Sequence, residues 1–388
     1  MTQVADHLVP VPCEQLEPGM YVAELDRSWL HTPFESRGFL ISQQDQISVL
    51  RRFCEYVYID PGRSDVIARL DIQAANASPP VPDPENLPDE DLLRLNGCRK
   101  LLKDTNAQIA ATVRAARRAG RLDILPIDAG LDQFIDHILI WPDAMQWLIS
   151  TEPSPGYLNR RSVGTAIYAV VFGRNLGMGR AALRDLALGA LLLDIGKTCV
   201  PITILSKPKR LNSAERSFVR RHVDKSRALA RLSNAVDDRV IDMVGTHHER
   251  LDGTGYPGHI AGTEIPFYAR IAGIVDTFDA LTQDRGYARA RSGHAALRYL
   301  NTWRNIKFDA ALVDEFIRAV GSYPIGTQVE LMDGSSGRVC RRNPDDANRP
   351  NILLTCDPSG RAIEAIKIIE GGPNTQILRA LPTPYASL

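Results

Sequence analysis

The chain has no surplus of charge of either sign: 46 lysines and arginines stand against 46 aspartates and glutamates. That balance gives no global electrostatic pull toward nucleic acid. It also lacks any apolar run of the roughly 20 residues that a membrane-spanning helix needs. No signal-peptide h-region opens it. Its six cysteines, Cys13, Cys54, Cys98, Cys199, Cys340 and Cys356, are scattered and form no CxxC pair. Reduced thiols in a cytoplasmic protein are therefore the expectation.

What is present is length and apolar content. With 388 residues, 44% of them hydrophobic, the chain can bury a sizeable core and is expected to divide into two or three domains. Its most informative stretch is His247-His248-Glu249-Arg250-Leu251-Asp252-Gly253-Thr254-Gly255-Tyr256-Pro257. Val240, Met243, Val244 and His247 recur at helical spacing, so His247 points toward the interior. His248 is rotated by about 100° from it, and the two can serve one centre only at a helix end. Asp252-Gly253 and Gly255 allow a tight excursion with positive φ, and Pro257 stiffens the exit. Neutral imidazole is the commonest metal ligand. The alternative is a core histidine beside a surface one.

Downstream stand Asp276-Thr277-Phe278-Asp279-Ala280-Leu281-Thr282 and Arg285-Gly286-Tyr287. With the histidine pair and the Gly-Tyr-Pro loop, this ordered set resembles the HD-GYP family, bacterial relatives of the HD metal-dependent phosphohydrolases. The resemblance spans roughly residues 155–323. It implies a mainly α fold: an HD-type helical domain flanked by a small α+β N-terminal domain and a small β appendage. It also implies hydrolysis of cyclic di-GMP with one or two divalent ions, iron, manganese or similar. By that resemblance Asp194, His222, His247, His248 and Asp276 are the metal ligands. Asp194 and Lys197 are then the catalytic pair, and Lys197, Arg285 and Tyr287 contact substrate. Gly255, Tyr256 and Pro257 form a loop associated in the family with GGDEF-domain partners, and a homodimer is conceivable.

Three departures stand out. The family's His-Asp-Ile-Gly-Lys reads Leu193-Asp194-Ile195-Gly196-Lys197 here, and Arg161 stands where another histidine ligand is usual. Tyr157 replaces a glutamate of three-metal members. Asp194 follows an apolar run and must be paired or metal-bound to be buried, so an ion pair with Lys197 is the alternative to coordination. The resemblance then leaves one metal subsite intact and the other with carboxylates alone. Arg161 would put a fixed charge near the second, repelling a cation or meeting a phosphate. Two function classes follow: a cyclic di-GMP phosphodiesterase of reduced activity, or a non-catalytic cyclic di-GMP-binding or interaction module.

The remaining chain reads as follows. Residues 1–70 form a small α+β domain with strands near Val9, Val11, 21–23 and 56–60 and a helix carrying Ile47, Leu50 and Phe53. It resembles a domain of unknown function that often precedes HD-GYP domains. Trp29 and Phe34 there are either a recognition surface or core. Residues 71–88 are a Pro-rich linker. Residues 89–150 are connecting helices, a long one over 89–121 and another over about 130–149, where His137 reads as structural. The basic set Arg114, Arg117, Arg118 and Arg121 is an anion site or a solvated face. The HD-GYP segment takes 151–323, and His259 and His294 match no ligand position in it. Over 324–388, strands are expected at 329–331, 338–340, 352–354 and 366–369, split by turns at Asp333-Gly334 and 357–360.

Overall fold

A computed structural model describes residues 9–13, 16–25, 34, 38–54, 56–60, 63–64, 89–151, 157–205, 207, 211–233, 236–283, 290–343, 345–372 and 375–381. The chain divides into two compact units, residues 1–77 and 78–388.

In the first unit the strands β1 (Val9–Pro12), β2 (Tyr21–Leu25), β3 (Phe39–Leu40) and β4 (Tyr56–Ile59) form an antiparallel sheet in the order β1-β4-β2-β3. Helix α1 (Gln44–Phe53) supplies Ile47 and Leu50, both fully buried with Val22, Val57 and Ile59. Phe34 packs against this core and stacks on Phe39 at 4.9 Å, so it is core rather than surface. Trp29 lies outside the described residues.

The second unit begins with α2 (Asp89–Ala119). Leu95, Cys98, Leu102, Thr105, Ile109, Thr112 and Ala116 recur at spacings of three and four and are all buried, which gives the helix one continuous inner stripe. The helix expected over 130–149 is two, α3 (Leu125–Ile140) and α4 (Pro142–Thr151). Trp141 leaves helical geometry at φ −127° and ψ 55° because the residue before a proline is pushed out of the α region. Pro142 then starts the next helix, where its missing N–H costs nothing.

Helices α5 (Tyr157–Asn175) and α6 (Arg180–Leu192) follow, then a 3-10 turn at Ile195–Cys199 and the short α7 (Ile202–Leu205). Next come α8 (Ser213–Arg220), α9 (His222–Arg231), α10 (Asp238–Thr246) and α11 (Phe267–Leu281). The series ends with α12 (Gly293–Thr302) and α13 (Ala310–Val320). α5 is buried continuously from Arg161 to Gly173, and α6 (buried from Leu186 to Leu192) and α11 (buried from Ile271 to Asp276) both pack on it, so α5 is the axis of the helical part. Among the described residues, no helix is long and apolar enough to cross a membrane. The protein is mainly α, as its sequence implies.

At the end, β5 (Gln328–Leu331), β6 (Ser336–Arg341), β7 (Asn351–Cys356), β8 (Ala362–Ile369) and β9 (Ile377–Ala380) make an antiparallel sheet in the order β8-β7-β6-β5-β9. The four expected strands are present; β9 is an addition, an edge strand with no buried residue and so no alternation to reveal it. The sheet is tied to the helices by Arg342, whose Nε lies 3.0 Å from Asp143 Oδ1 on α4 and whose Nη1 donates to the Ala319 carbonyl at 2.6 Å.

Candidate metal centre

The centre is assembled from helix ends. α6 runs out at Leu192, and Asp194 (φ −101°, ψ 7°) opens the 3-10 turn. α9 starts at His222 and docks directly on that turn. Gly196 makes the contact possible: a Cβ there would collide with the His222 carbonyl and sit 2.6 Å from Ser226 N. Instead the Gly196 N–H donates to Ser226 Oγ, and that hydroxyl donates to the Leu193 carbonyl, both at 2.8 Å. α10 ends at Thr246, with His247 as its C-cap and fully buried. Arg250 closes this end by donating to the His247 carbonyl at 3.0 Å. The loop beyond turns at Gly253 (φ 71°), with Thr254 N donating to Asp252 Oδ1 at 3.0 Å. Gly255 is needed because a Cβ would sit 2.5 Å from Arg250 N.

These ends bring His222, His247 and His248 together, with one ring nitrogen of each within 4.8 Å of the others. His222 Nδ1 donates to the Val219 carbonyl and His247 Nδ1 to the Val244 carbonyl, each at 2.8 Å. A carbonyl only accepts, so the ring proton is on Nδ1 and each Nε2 presents a lone pair. Neither Nε2 has a hydrogen-bond partner, and neither does Asp194 Oδ1, although it lies 3.2 Å from His222 Nε2. Burial pushes His247 down to about 4. Burial and the neighbouring imidazoles hold His248 well below the usual histidine range. His247 and His248 are thus presented as neutral ligands rather than imidazolium ions. Buried nitrogen lone pairs with one carboxylate oxygen fit a divalent cation on the histidine side.

The other side is different. Arg161, 5% exposed, donates from Nη2 to Asp276 Oδ1. Its Nε stands 3.8 Å from Asp194 Oδ2 and 4.0 Å from Asp279 Oδ2. Lys197 Nζ is 2.6 Å from the same Asp194 Oδ2. Burial alone would raise Asp194; Lys197 and Arg161 outweigh it and hold the carboxyl well below the usual range. Asp276 is lowered in the same way, burial being outweighed by Arg161. Asp279, with less compensation, is pushed up by burial to about 7, though Gln283 Nε2 donates to it at 2.7 Å. Leu193 is buried and has no ligating atom. Asp276 Oδ2 is 3.9 Å from His248 Nδ1 and so borders the histidine side as well. The ground between Asp194 and Asp276 does not fit a second cation, because a guanidinium already faces both carboxylates.

The structure therefore brings Asp194, Lys197, His222, His247, His248 and Asp276 into one pocket. The Asp194–Lys197 ion pair, offered as an alternative to coordination, coexists with a free-facing Oδ1. Arg285 and Tyr287 lie outside the described residues. Gly255 is buried; Tyr256 and Pro257 are half-buried, with the Tyr256 ring stacked on His248 at 4.6 Å and Arg220 over its other side at 4.9 Å. His259 is exposed, and His294 bonds the Ser322 carbonyl at 2.9 Å, away from the cluster. His137 Nδ1 bonds the Gln133 carbonyl at 2.9 Å, a local helical contact. Of the basic set on α2, Arg117 donates to the Thr198 carbonyl at 3.0 Å, bracing the turn that carries Lys197. Residue patterns did not single out Asp279, Ser226 or Gly196. Only Asp279 left a signal, its spacing of three from Asp276 on one helix face.

Comparison with known proteins bears on the family and the fold. The HD domain family matches residues 144–312, and a domain of unknown function (DUF3391) matches residues 8–127. A protein of Pseudomonas aeruginosa named cyclic di-GMP phosphodiesterase PA4108 is 32% identical over 351 residues, 89% of this chain and 84% of that one. The Xanthomonas campestris cyclic di-GMP phosphodiesterase response regulator RpfG is 36% identical over 154 residues, 39% of this chain and 40% of that one. The Vibrio cholerae 3'3'-cGAMP-specific phosphodiesterase 1 is 40% identical over 119 residues, 31% of this chain and 27% of that one. Among solved structures, Bd1817, an HDG"Y"P protein from Bdellovibrio bacteriovorus, superposes with a TM-score of 0.50 at 13% identity. The superposition covers 80% of this chain and 98% of that one, and it shows the shared fold. Fold and pocket together define an HD-domain protein. Within that class, the chain belongs to the HD-GYP family.

Proposed function

We propose that this chain binds cyclic di-GMP in the histidine–carboxylate pocket and cleaves its phosphodiesters slowly, as a metal-dependent phosphodiesterase with an incomplete metal site. The observation that carries the reading is the set of unsatisfied buried atoms, His222 Nε2, His247 Nε2 and Asp194 Oδ1, at a cluster of three imidazoles, with Asp194 Oδ1 3.2 Å from His222 Nε2. The 32% identical Pseudomonas relative, named for cyclic di-GMP, supports the substrate class.

His222, His247, His248 and Asp194 would hold a divalent ion such as iron or manganese. When bound, that ion supplies Lewis acidity to a phosphoryl oxygen. Lys197 is fixed by Asp194 at 2.6 Å, and its remaining N–H groups are available to a phosphate oxygen as charge-assisted donors. Arg285 and Tyr287 are proposed as further substrate contacts. Asp276 borders both halves of the pocket; its Oδ1 is held by Arg161, and its Oδ2, 3.9 Å from His248 Nδ1, is proposed as a further ligand on the histidine side. The loss of imidazole at 161 and 193 removes ligands from that half, which supports slow turnover.

A second reading, a non-catalytic cyclic di-GMP sensor, is favoured by one observation: Arg161 faces Asp194 and Asp276, where a second ion would otherwise stand. In either reading the loop of Gly255, Tyr256 and Pro257 is proposed as the docking surface for a GGDEF-domain partner, and self-association as a homodimer is compatible.

Calorimetric titration of cyclic di-GMP into manganese-loaded wild type and Lys197→Ala tests the binding claim. Loss of one charge-assisted bond, worth roughly 1.5–3 kcal/mol, weakens affinity about tenfold or more. Equal affinities would remove Lys197 from the substrate site.

A further inference from the structure

We infer that Arg161 is the built-in cation of the second subsite, so that the chain takes a single divalent ion and completes its electrostatics with a guanidinium. The inference rests on the pocket reading above and deepens it.

Position comes first. α5 packs between α6 and α11, and Arg161 projects from it into the space where Asp194, Asp276 and Asp279 converge. Its Nη2 donates to Asp276 Oδ1, and its Nε is 3.8 Å from Asp194 Oδ2 and 4.0 Å from Asp279 Oδ2. One guanidinium thus touches carboxylates from two separate elements, as a bridging ion would. Its planar fork of donors makes it the side chain suited to that geometry. The neighbouring backbone is cut to fit. At Gly164, one turn along α5, a Cβ would lie 2.5 Å from Asp279 Oδ1, so any larger residue would displace the carboxylate that Arg161 faces.

Charge balance comes second. Lys197 and Arg161 offset Asp194 and Asp276, and the third carboxyl, Asp279, already faces Arg161 and accepts from Gln283 Nε2 at 2.7 Å. Buried charges need a partner at close range, and here each carboxylate has one. On the histidine side the situation is the reverse: His222 Nε2, His247 Nε2 and Asp194 Oδ1 are buried with no hydrogen-bond partner. A dication entering the pocket meets ligands on one side and a fixed positive charge on the other.

The missing ligand comes third. Leu193 is 2% exposed, and its carbonyl is taken by the Ser226 hydroxyl at 2.8 Å. The position offers no coordinating atom to compete with Arg161. A guanidinium, unlike an ion, is not removed by a chelator. The second half of the pocket therefore keeps its charge in metal-free protein.

The test counts ions. Full-length wild type is saturated with manganese, freed of excess, and measured for metal content and for spin coupling between paired ions by electron paramagnetic resonance. Wild type is expected to hold one manganese per chain with no coupled pair. Arg161→His combined with Leu193→His is expected to hold two, spin-coupled at the separation of about 4 Å typical of two-metal sites. Two coupled ions in wild type, or one ion in the folded double variant, would overturn the inference. If the double variant fails to fold, Leu193→His alone decides: it adds a ligand but keeps Arg161, and must stay at one ion. No ion at all in wild type would remove the histidine site itself, and with it the phosphodiesterase reading. Two ions would leave that reading standing and remove only the role of Arg161.

Discussion

His222 Nε2 and Asp194 Oδ1 face each other across 3.2 Å, both buried and neither with a hydrogen-bond partner. The spacing is set by the docking of α9 on the 3-10 turn, where Ser226 Oγ accepts from Gly196 N–H and donates to the Leu193 carbonyl. Folding therefore brings two buried polar atoms together without partners, an arrangement that costs free energy unless a cation lies between them. That cost is the physical sign of a binding site.

Gly196→Ala tests how tightly this docking is built. The added methyl would overlap the His222 backbone and sit 2.6 Å from Ser226 N, and backbone cannot rotate away. The expected loss is about 3 kcal/mol or more, or outright failure to fold. Urea unfolding of the variant measures it, and a loss under about 1 kcal/mol would show that α9 is not held as described.

Asp279→Asn isolates a buried carboxyl. In the folded protein Asp279 is pushed up to about 7 from an ordinary value of 3.8. A raised folded value means stability that is fully present below the unfolded pKa and lost as pH rises through the folded one. Wild type should thus fall behind the uncharged variant between about pH 4 and pH 7, by about 4 kcal/mol at the upper end. Denaturant midpoints of metal-free protein across that range check the sign. A difference that is flat with pH would show that Asp279 is ionised throughout.

Arg342→Ala tests the tie between the terminal sheet and the helices. Asp143 is 1% exposed and meets Arg342 Nε at 3.0 Å and Arg342 N at 3.2 Å. Removing the guanidinium strips the buried carboxylate of its Nε donor and leaves it the Arg342 N–H and the charge of nearby Arg174, at an expected cost of about 3 kcal/mol. Thermal unfolding is expected to shift down as one transition. A separate early transition would mean that the sheet unfolds independently.

Much of this site is legible in the residues alone. The end of α10 at His247 can be read from the apolar spacing of Val240, Met243 and Val244 followed by glycines, because burial and backbone conformation act locally there. The α2 stripe is legible for the same reason. What is hidden is pairing at long range. Arg161 reaches Asp276 across 115 positions; no local pattern reveals this, and only the family resemblance, which puts a fixed charge beside the carboxylate subsite, makes it legible. The stacking of Tyr256 on His248 is hidden likewise, since a Gly-Tyr-Pro loop on its own reads as a surface. The break at Trp141 and the strand β9 fail for smaller reasons: a single proline inside a periodic pattern, and an edge strand that buries nothing.

The most direct test of the account is a paired measurement on manganese-loaded wild type: calorimetric binding of cyclic di-GMP, and chromatographic counting of its linear product over time. The account predicts saturable binding, with cleavage about 100-fold or more slower than in the Arg161→His, Leu193→His variant. That gap corresponds to the ~3 kcal/mol of transition-state stabilisation a second ion supplies. Residual cleavage should vanish in His248→Ala. Failure to bind cyclic di-GMP, or cleavage by wild type as fast as by the restored variant, would contradict it.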